Sequence, residues 1–236
     1  MEQYLNSTGL IQFASYIQQQ RDEDVENTKL ITSWFTGTFD NKHTGDNEQS
    51  LYIYTVPKLG DGGTCSLKHE TETYNLESTI GTRTSTKSNI LSRLYSITLN
   101  AQQLTKVDWI GIYKVYQVNG ENALVKLAYQ GEISRPIFPL NDYWETISNN
   151  SFVGIHGKGR IIQTLEGYDG PYYNCSDKVK SELCIPIFDR NDNTKVIGII
   201  DAESWREKHF DASSILALAR LCLELPQLLQ DEALSL

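Results

Sequence analysis

The stretch VIGIIDAES, residues Val196 to Ser204, decides how this chain is read. Its β-branched residues suit a strand. Alternation along a strand places Ile197, Ile199, Asp201 and Glu203 on one face, so two carboxylates extend an apolar row. A carboxylate drawn partly out of water must find a donor, a cation or a proton. Upstream, ELCIPIFD (182–189) has the same character, with Glu182 and Cys184 on one face and Leu183, Ile185 and Ile187 on the other. The turn-rich RNDNT (190–194) joins the two runs, and a hairpin brings Glu182 near Asp201 and Glu203. Three acids around a concavity suit an ammonium ligand. They also hold one proton at neutral pH, because like charges raise one pKa, and such a proton can pass to a leaving oxygen. Spacing alone leaves a plainer reading open, in which Asp201 and Glu203 mark the strand end and Ser204 and Trp205 begin a solvated loop.

A second strand pair lies further upstream. DWIGIYKVYQV (108–118) and ALVKLAYQG (123–131) are separated by the hairpin signal NGEN. Before it, Ile90, Leu94, Ile97, Ala101 and Leu104 form one apolar stripe of a helix. After the second hairpin, DASSILALARLCLELPQLLQ (211–230) reads as a helix capped by Asp211 and ended or kinked near Leu225 by Pro226. Its inner face carries Ile215, Leu218, Cys222, Leu225 and Leu229. The order is helix, hairpin, irregular middle, hairpin, helix, which predicts an α+β domain over 87–236. Residues 1–86 are more polar and form a partly β N-terminal extension of unassigned role. Within them LITSWFTGTF (30–39) and LYIYTV (51–56) suit strands, and a short strand is expected near Tyr74 in an otherwise extended connection.

Bulk properties narrow the classes. The 236 residues are 39% hydrophobic and 22% charged, as in a globular protein. A net charge of −9 would repel a phosphate backbone, and no long Lys/Arg run offsets it, so nucleic acid is not an expected partner. No uninterrupted apolar run of about 18 residues exists, so no membrane span is expected. MEQYLNSTGLIQFASYIQQQ lacks the basic start and apolar block of a signal peptide. Cys65, Cys175, Cys184 and Cys222 have no C-x-x-C spacing, so neither a metal site nor a disulfide framework is expected. These features predict a cytoplasmic protein with reduced thiols.

DWIGIYKV, YQGEI, CSDKVKSELCIPI and VIGIIDAES followed by HF together resemble the GAF fold and, within it, the free methionine-(R)-sulfoxide reductases. That family carries W-x-G-F-Y, then Q-G-x-I, then C-D-x-x-x-x-S-E-I-x-x-P-I, then G-V-L-D-I-D-S. The likeness spans about residues 87 to 232, and the offset from Cys175 to Ser181 and Glu182 is its most specific part. It implies a GAF-like antiparallel sheet flanked by helices and a small-molecule pocket. Trp109 and Tyr113 match the aromatic strand that walls the substrate's methyl end. Glu182, Asp201 and Glu203 match the acids that hold the substrate and assist loss of oxygen, with Glu203 in place of the usual Asp. Cys175 matches the thiol that attacks sulfur.

The implied ligand is free methionine sulfoxide or another small amino-acid-like molecule. No bound cofactor is implied, only an external thiol reductant such as thioredoxin. By analogy with GAF domains, a homodimer is expected. Two upstream thiols of the family are missing. Ser134 and Arg135 stand at the place of one, and Val153 at the other. Cys65 or Cys184 then remains as a substitute resolving thiol, unless an external reductant attacks the sulfenic acid directly. Otherwise the chain is a non-catalytic GAF sensor whose pocket binds a small amino-acid-like or cyclic-nucleotide ligand, or an interaction module with a vestigial pocket. Cys184 in its apolar strand and Cys222 on its helix's inner face read as core packing. His156 in GIHGKGR reads as loop polarity.

Overall fold

The computed structural model describes residues 1–19, 21–36, 48–59, 67–173 and 176–235. The helices and strands follow in chain order as α1 (Glu2–Thr8), α2 (Ala14–Gln19), α3 (Arg21–Thr36), β1 (Ile53–Lys58), β2 (Leu67–Asn75), α4 (Glu77–Ile80) and α5 (Ser85–Thr105). Then come β3 (Trp109–Val118), β4 (Glu121–Gln130), β5 (Ile137–Pro139), α6 (Asn149–His156), β6 (Arg160–Ile162), β7 (Ser181–Phe188), β8 (Val196–Ser204), α7 (Ala212–Glu224) and α8 (Pro226–Leu229). Six strands form one antiparallel sheet in the order β5-β4-β3-β8-β7-β6, and β1 pairs with β2 in a separate ribbon. The expected α+β architecture, with helices flanking an antiparallel sheet, is therefore present.

Local chemistry explains the elements. The β3–β4 turn is made by Asn119 at φ 53° and Gly120 at φ 85°, the left-handed pair that a tight hairpin requires. Thr84 caps α5 by accepting from the Lys87 N–H at 3.1 Å. Asp211 caps α7 by accepting from the Ser214 N–H at 2.8 Å. Pro226 opens α8 directly after α7, where its missing N–H costs little. Ala212–Leu229 is, among the described residues, the stretch long and apolar enough by composition to cross a membrane. Yet 61% of it is buried within the fold.

Strand alternation sorts the sheet into two faces. Leu183, Ile185 and Ile187 of β7, Ile200 and Ala202 of β8, and Ile110 and Ile112 of β3 join the main core. There they meet Ile90, Leu94 and Ile97 of α5 and Ile215, Leu218 and Cys222 of α7. The described N-terminal residues Tyr4, Leu5, Ile31, Trp34, Phe35 and Tyr52 belong to the same core. The Tyr4 hydroxyl donates to the Pro186 carbonyl at 2.7 Å.

Three expectations need correction. The run from 30 was read as a strand, but its described part, through Thr36, is the end of α3. Ile31, Trp34 and Phe35 recur at helical spacing and bury against the core, which overrides their strand propensity. Ile197 does not share the face of Ile199. Ile187 pairs with Gly198 and Phe188 with Val196, so the register skips Ile197, which packs into the main core. The middle expected to be irregular contains β5, α6 and β6. Helix α6 is capped by Ser148, which accepts from the Ser151 N–H at 3.2 Å, and it ends at Gly157 with φ 63°.

Candidate functional site

The second face of the sheet carries the site. Glu182 pairs with Glu203, and Cys184 with Asp201, across β7 and β8. Trp109 pairs with Glu203, Gly111 with Asp201, and Tyr113 with Ile199, across β3 and β8. Directly opposed residues on one face put their side chains next to each other. The three acids are thus one cluster beside two aromatic rings. They line one cavity together with Ser134, Phe138, Ser148, Asn149, Asn150 and Tyr173. Asp201 is 4% exposed and lies within β8, so the strand-end reading fails for it. Glu203, next to the strand's last residue, is half-buried.

The glycines of the W-x-G and Q-G motifs acquire a reason here. A Cβ on Gly111 would stand 2.4 Å from the Trp109 ring, and one on Gly131 would stand 2.6 Å from it. Both glycines therefore make room for the indole to lie across the sheet. The indole N–H donates to the Glu132 carbonyl at 2.9 Å, and its ring stacks on Tyr129 at 6.2 Å.

Helix α6 begins at the cavity and supplies partners for two acids. The Asn149 amide donates to Glu182 at 2.5 Å, and the Asn150 amide to Asp201 at 2.9 Å. Even so, burial and the neighbouring charges of Asp201 and Glu203 hold the Glu182 carboxyl well above the usual carboxylate range. Burial raises Asp201 to about 7, against the opposing pull of Asn150 and Lys126. The cluster therefore keeps a proton near neutrality. Asp201 Oδ1, Asn149 Oδ1 and Ser151 Oγ are buried without a hydrogen-bond partner. A buried polar atom of this kind calls for a hydrogen-bond partner.

Arg135 packs against the rings of Phe138, Trp144 and Tyr173. Its guanidinium lies 4.1 Å over the Trp144 ring and donates to the Tyr173 hydroxyl at 3.2 Å. Tyr173 and Phe138 pack edge to face at 5.7 Å.

Cys175 and Cys65 lie outside the described residues. Of Cys175's neighbours in sequence, Tyr173 lines the cavity and the Ser176 hydroxyl donates to Glu132 at 3.3 Å. Cys184 is fully buried, and burial followed by the charges of Asp201 and Glu182 pushes its thiol well above the ordinary value. Burial raises Cys222 to about 12. Neither is a reactive thiol, in line with the core-packing reading. His156 is half-exposed and bonds Glu145 at 2.6 Å, away from the cavity. No group of metal-ligating side chains occurs among the described residues.

Sequence reasoning found Trp109, Tyr113, Glu182, Asp201 and Glu203, and the structure brings them together. It missed Ser134, Phe138, Asn149, Asn150 and Tyr173. The one signal for the asparagines was Ser148 at an N-cap position ahead of Phe152 and Val153.

No protein-family model matches the sequence, and no curated protein matches it. Solved structures do. The type II free methionine-R-sulfoxide reductase from Thermoplasma acidophilum superposes with a TM-score of 0.53 at 18% identity, covering 62% of this chain and 96% of that one. The free methionine-R-sulfoxide reductase from Neisseria meningitidis, in complex with its substrate, gives 0.49 at 18% identity, covering 61% and 86%. A putative GAF sensor protein from Burkholderia vietnamiensis gives 0.48 at 19% identity, covering 62% and 89%. The chain has the GAF-like fold.

Proposed function

We propose that the cavity binds a small zwitterion of the amino-acid class, and that the chain reduces free methionine-(R)-sulfoxide with Cys175 as nucleophile. The observation that carries the binding part is the paired-strand acid cluster facing Trp109 and Tyr113, with Asp201 Oδ1 unpartnered. An ammonium group supplies donors to such a carboxylate and relieves its buried charge. The start of α6, where Asn149 and Asn150 line the cavity, favours a carboxylate. The aromatic rings suit a thioether-sized chain between the two charges.

The chemistry follows from the same groups. A proton held by the neighbouring Glu182 and Asp201 carboxyls passes to the sulfoxide oxygen. The Cys175 sulfur attacks the ligand sulfur and gives up its thiol proton to the acid pair. As the ligand sulfur–oxygen bond breaks, the hydroxyl transfers to the Cys175 sulfur, the transient sulfur–sulfur bond breaks, and methionine leaves with Cys175 as a sulfenic acid. The ligand gains two electrons and the thiol loses them. An external dithiol such as thioredoxin then returns Cys175 to the thiol, releasing water and becoming a disulfide. Because Cys184 is sealed in the sheet, the direct external route is favoured over an internal one through it. Cys65 remains the internal alternative. A reducing cytoplasm is the setting this cycle requires.

A second reading is a non-catalytic sensor using the same cavity. It is favoured by the residues at the places of the two expected thiols, Ser134 and Arg135 at one and Val153 at the other.

Turnover separates the two. The full chain is incubated with free methionine-(R,S)-sulfoxide and dithiothreitol or a thioredoxin system, and methionine is measured. Wild type is expected to form methionine and Cys175→Ala none. Equal turnover in the variant would remove Cys175 from the mechanism. A ligand-induced rise in melting temperature without any turnover would favour the sensor.

A further inference from the structure

A buried lysine stands on the cavity face of the sheet beside the acids described above. Lys126 lies on β4 and is 1% exposed. Its place depends on a bulge. Ile112 pairs with Ala128 and Tyr113 with Lys126, so Leu127 is passed over. The register change lets Lys126 and Tyr129 both turn toward Trp109. The ammonium lies 4.1 Å over the Tyr129 ring and 5.8 Å from that of Trp109.

The ammonium donates to Ser134 twice, to the carbonyl at 2.9 Å and to the hydroxyl oxygen at 2.7 Å. Ser134 is 9% exposed and lines the cavity. An ammonium has donors and no acceptor, so the hydroxyl must be the acceptor in this bond. Its own proton is then directed elsewhere. Among the described residues, the Ser134 hydroxyl makes no further hydrogen bond. A hydroxyl that accepts from a cation also becomes a stronger donor.

Resting on the amino-acid reading of the cavity, we infer that Ser134 donates a hydrogen bond to a charge-bearing oxygen of the ligand, with Lys126 as the positioning residue that fixes and polarises the hydroxyl. Ser134 and Arg135 stand where the family likeness expects a thiol. The ligand's acidic partners lie on β7 and β8, whereas this donor comes from the loop after β4. The cavity thereby reads an acceptor oxygen as well as an ammonium group. Two oxygens fit that description in methionine sulfoxide, the sulfinyl oxygen and the carboxylate.

Isothermal titration of the full chain distinguishes them. Three probes are used: L-methionine-(R)-sulfoxide, L-methionine, which lacks the sulfinyl oxygen, and 3-(methylsulfinyl)propylamine, which lacks the carboxylate. Ser134→Ala is expected to weaken the sulfoxide by about tenfold. It should equally weaken whichever second probe carries the contacted oxygen, and leave the third unchanged. Ser134→Thr, which keeps a hydroxyl, should restore most of the affinity. Lys126→Met should reproduce the selective loss and add little to Ser134→Ala in the double variant. If Lys126→Met fails to fold, the Ser134→Ala and Ser134→Thr pair still decides. A Ser134→Ala effect that is absent, or the same for all three probes, overturns the inference alone. A wild type that binds none of the probes overturns the amino-acid reading and this inference with it.

Discussion

The two faces of the central hairpin are made from the same seventeen strand residues and do opposite work. On one face Leu183, Ile185, Ile200 and Ala202 are fully buried among helices. On the other, one residue along, Glu182 and Asp201 are nearly as buried but carry carboxyl groups whose needs the protein only partly meets. The first arrangement removes apolar surface from water and stabilises the fold. The second destabilises it by burying acids side by side. Asn149, Asn150 and Lys126 mitigate that burial without cancelling it, since Asp201 is still raised to about 7. A fold retains such a face when a ligand completes it. Stability and recognition are thus separated by a single step of strand alternation.

Substitutions on the two faces should diverge in sign. Leu183→Ala removes a fully buried side chain from the main core and should cost about 3 kcal/mol in chemical denaturation. Little loss would mean that this face is not what holds the sheet to α5 and α7. Asp201→Asn should do the reverse at high pH. The folded state holds this proton up to about 7, against an ordinary value of 3.8. It therefore binds the proton more tightly than the unfolded chain does, and stability falls as pH rises between those values. Removing the charge should raise stability at pH 8 by about 2 kcal/mol and give no gain at pH 4. A variant equally destabilised at both pH values would show that Asp201 is a structural acid. Away from both faces, Asp211→Ala removes the cap of α7 and should cost about 1 kcal/mol in chemical denaturation.

The comparison also separates what the sequence made legible from what it did not. Alternation placed Glu182 opposite Leu183 in role, and Asp201 opposite Ile200, because a strand's period of two is rigid over a short run. It failed at Ile197 and could not orient Lys126, because each lies beside a register shift that leaves no mark in residue pattern. The run from residue 30 misled because Ile31, Trp34 and Phe35 suit a strand by type and a helix by spacing. Asn149 and Asn150 reach the acids from over thirty residues away in sequence, through the placement of α6. Nothing local announces such a contact. The family likeness located Trp109 and Tyr113, and the structure supplied the reason for their glycine neighbours.

Calorimetric titration with L-methionine-(R)-sulfoxide at pH 8 tests the ligand-completed face most directly. Wild type should bind saturably, and Asp201→Asn should bind at least about tenfold more weakly although it is the more stable protein. Equal affinity in the two, or no binding by the wild type, would contradict the account.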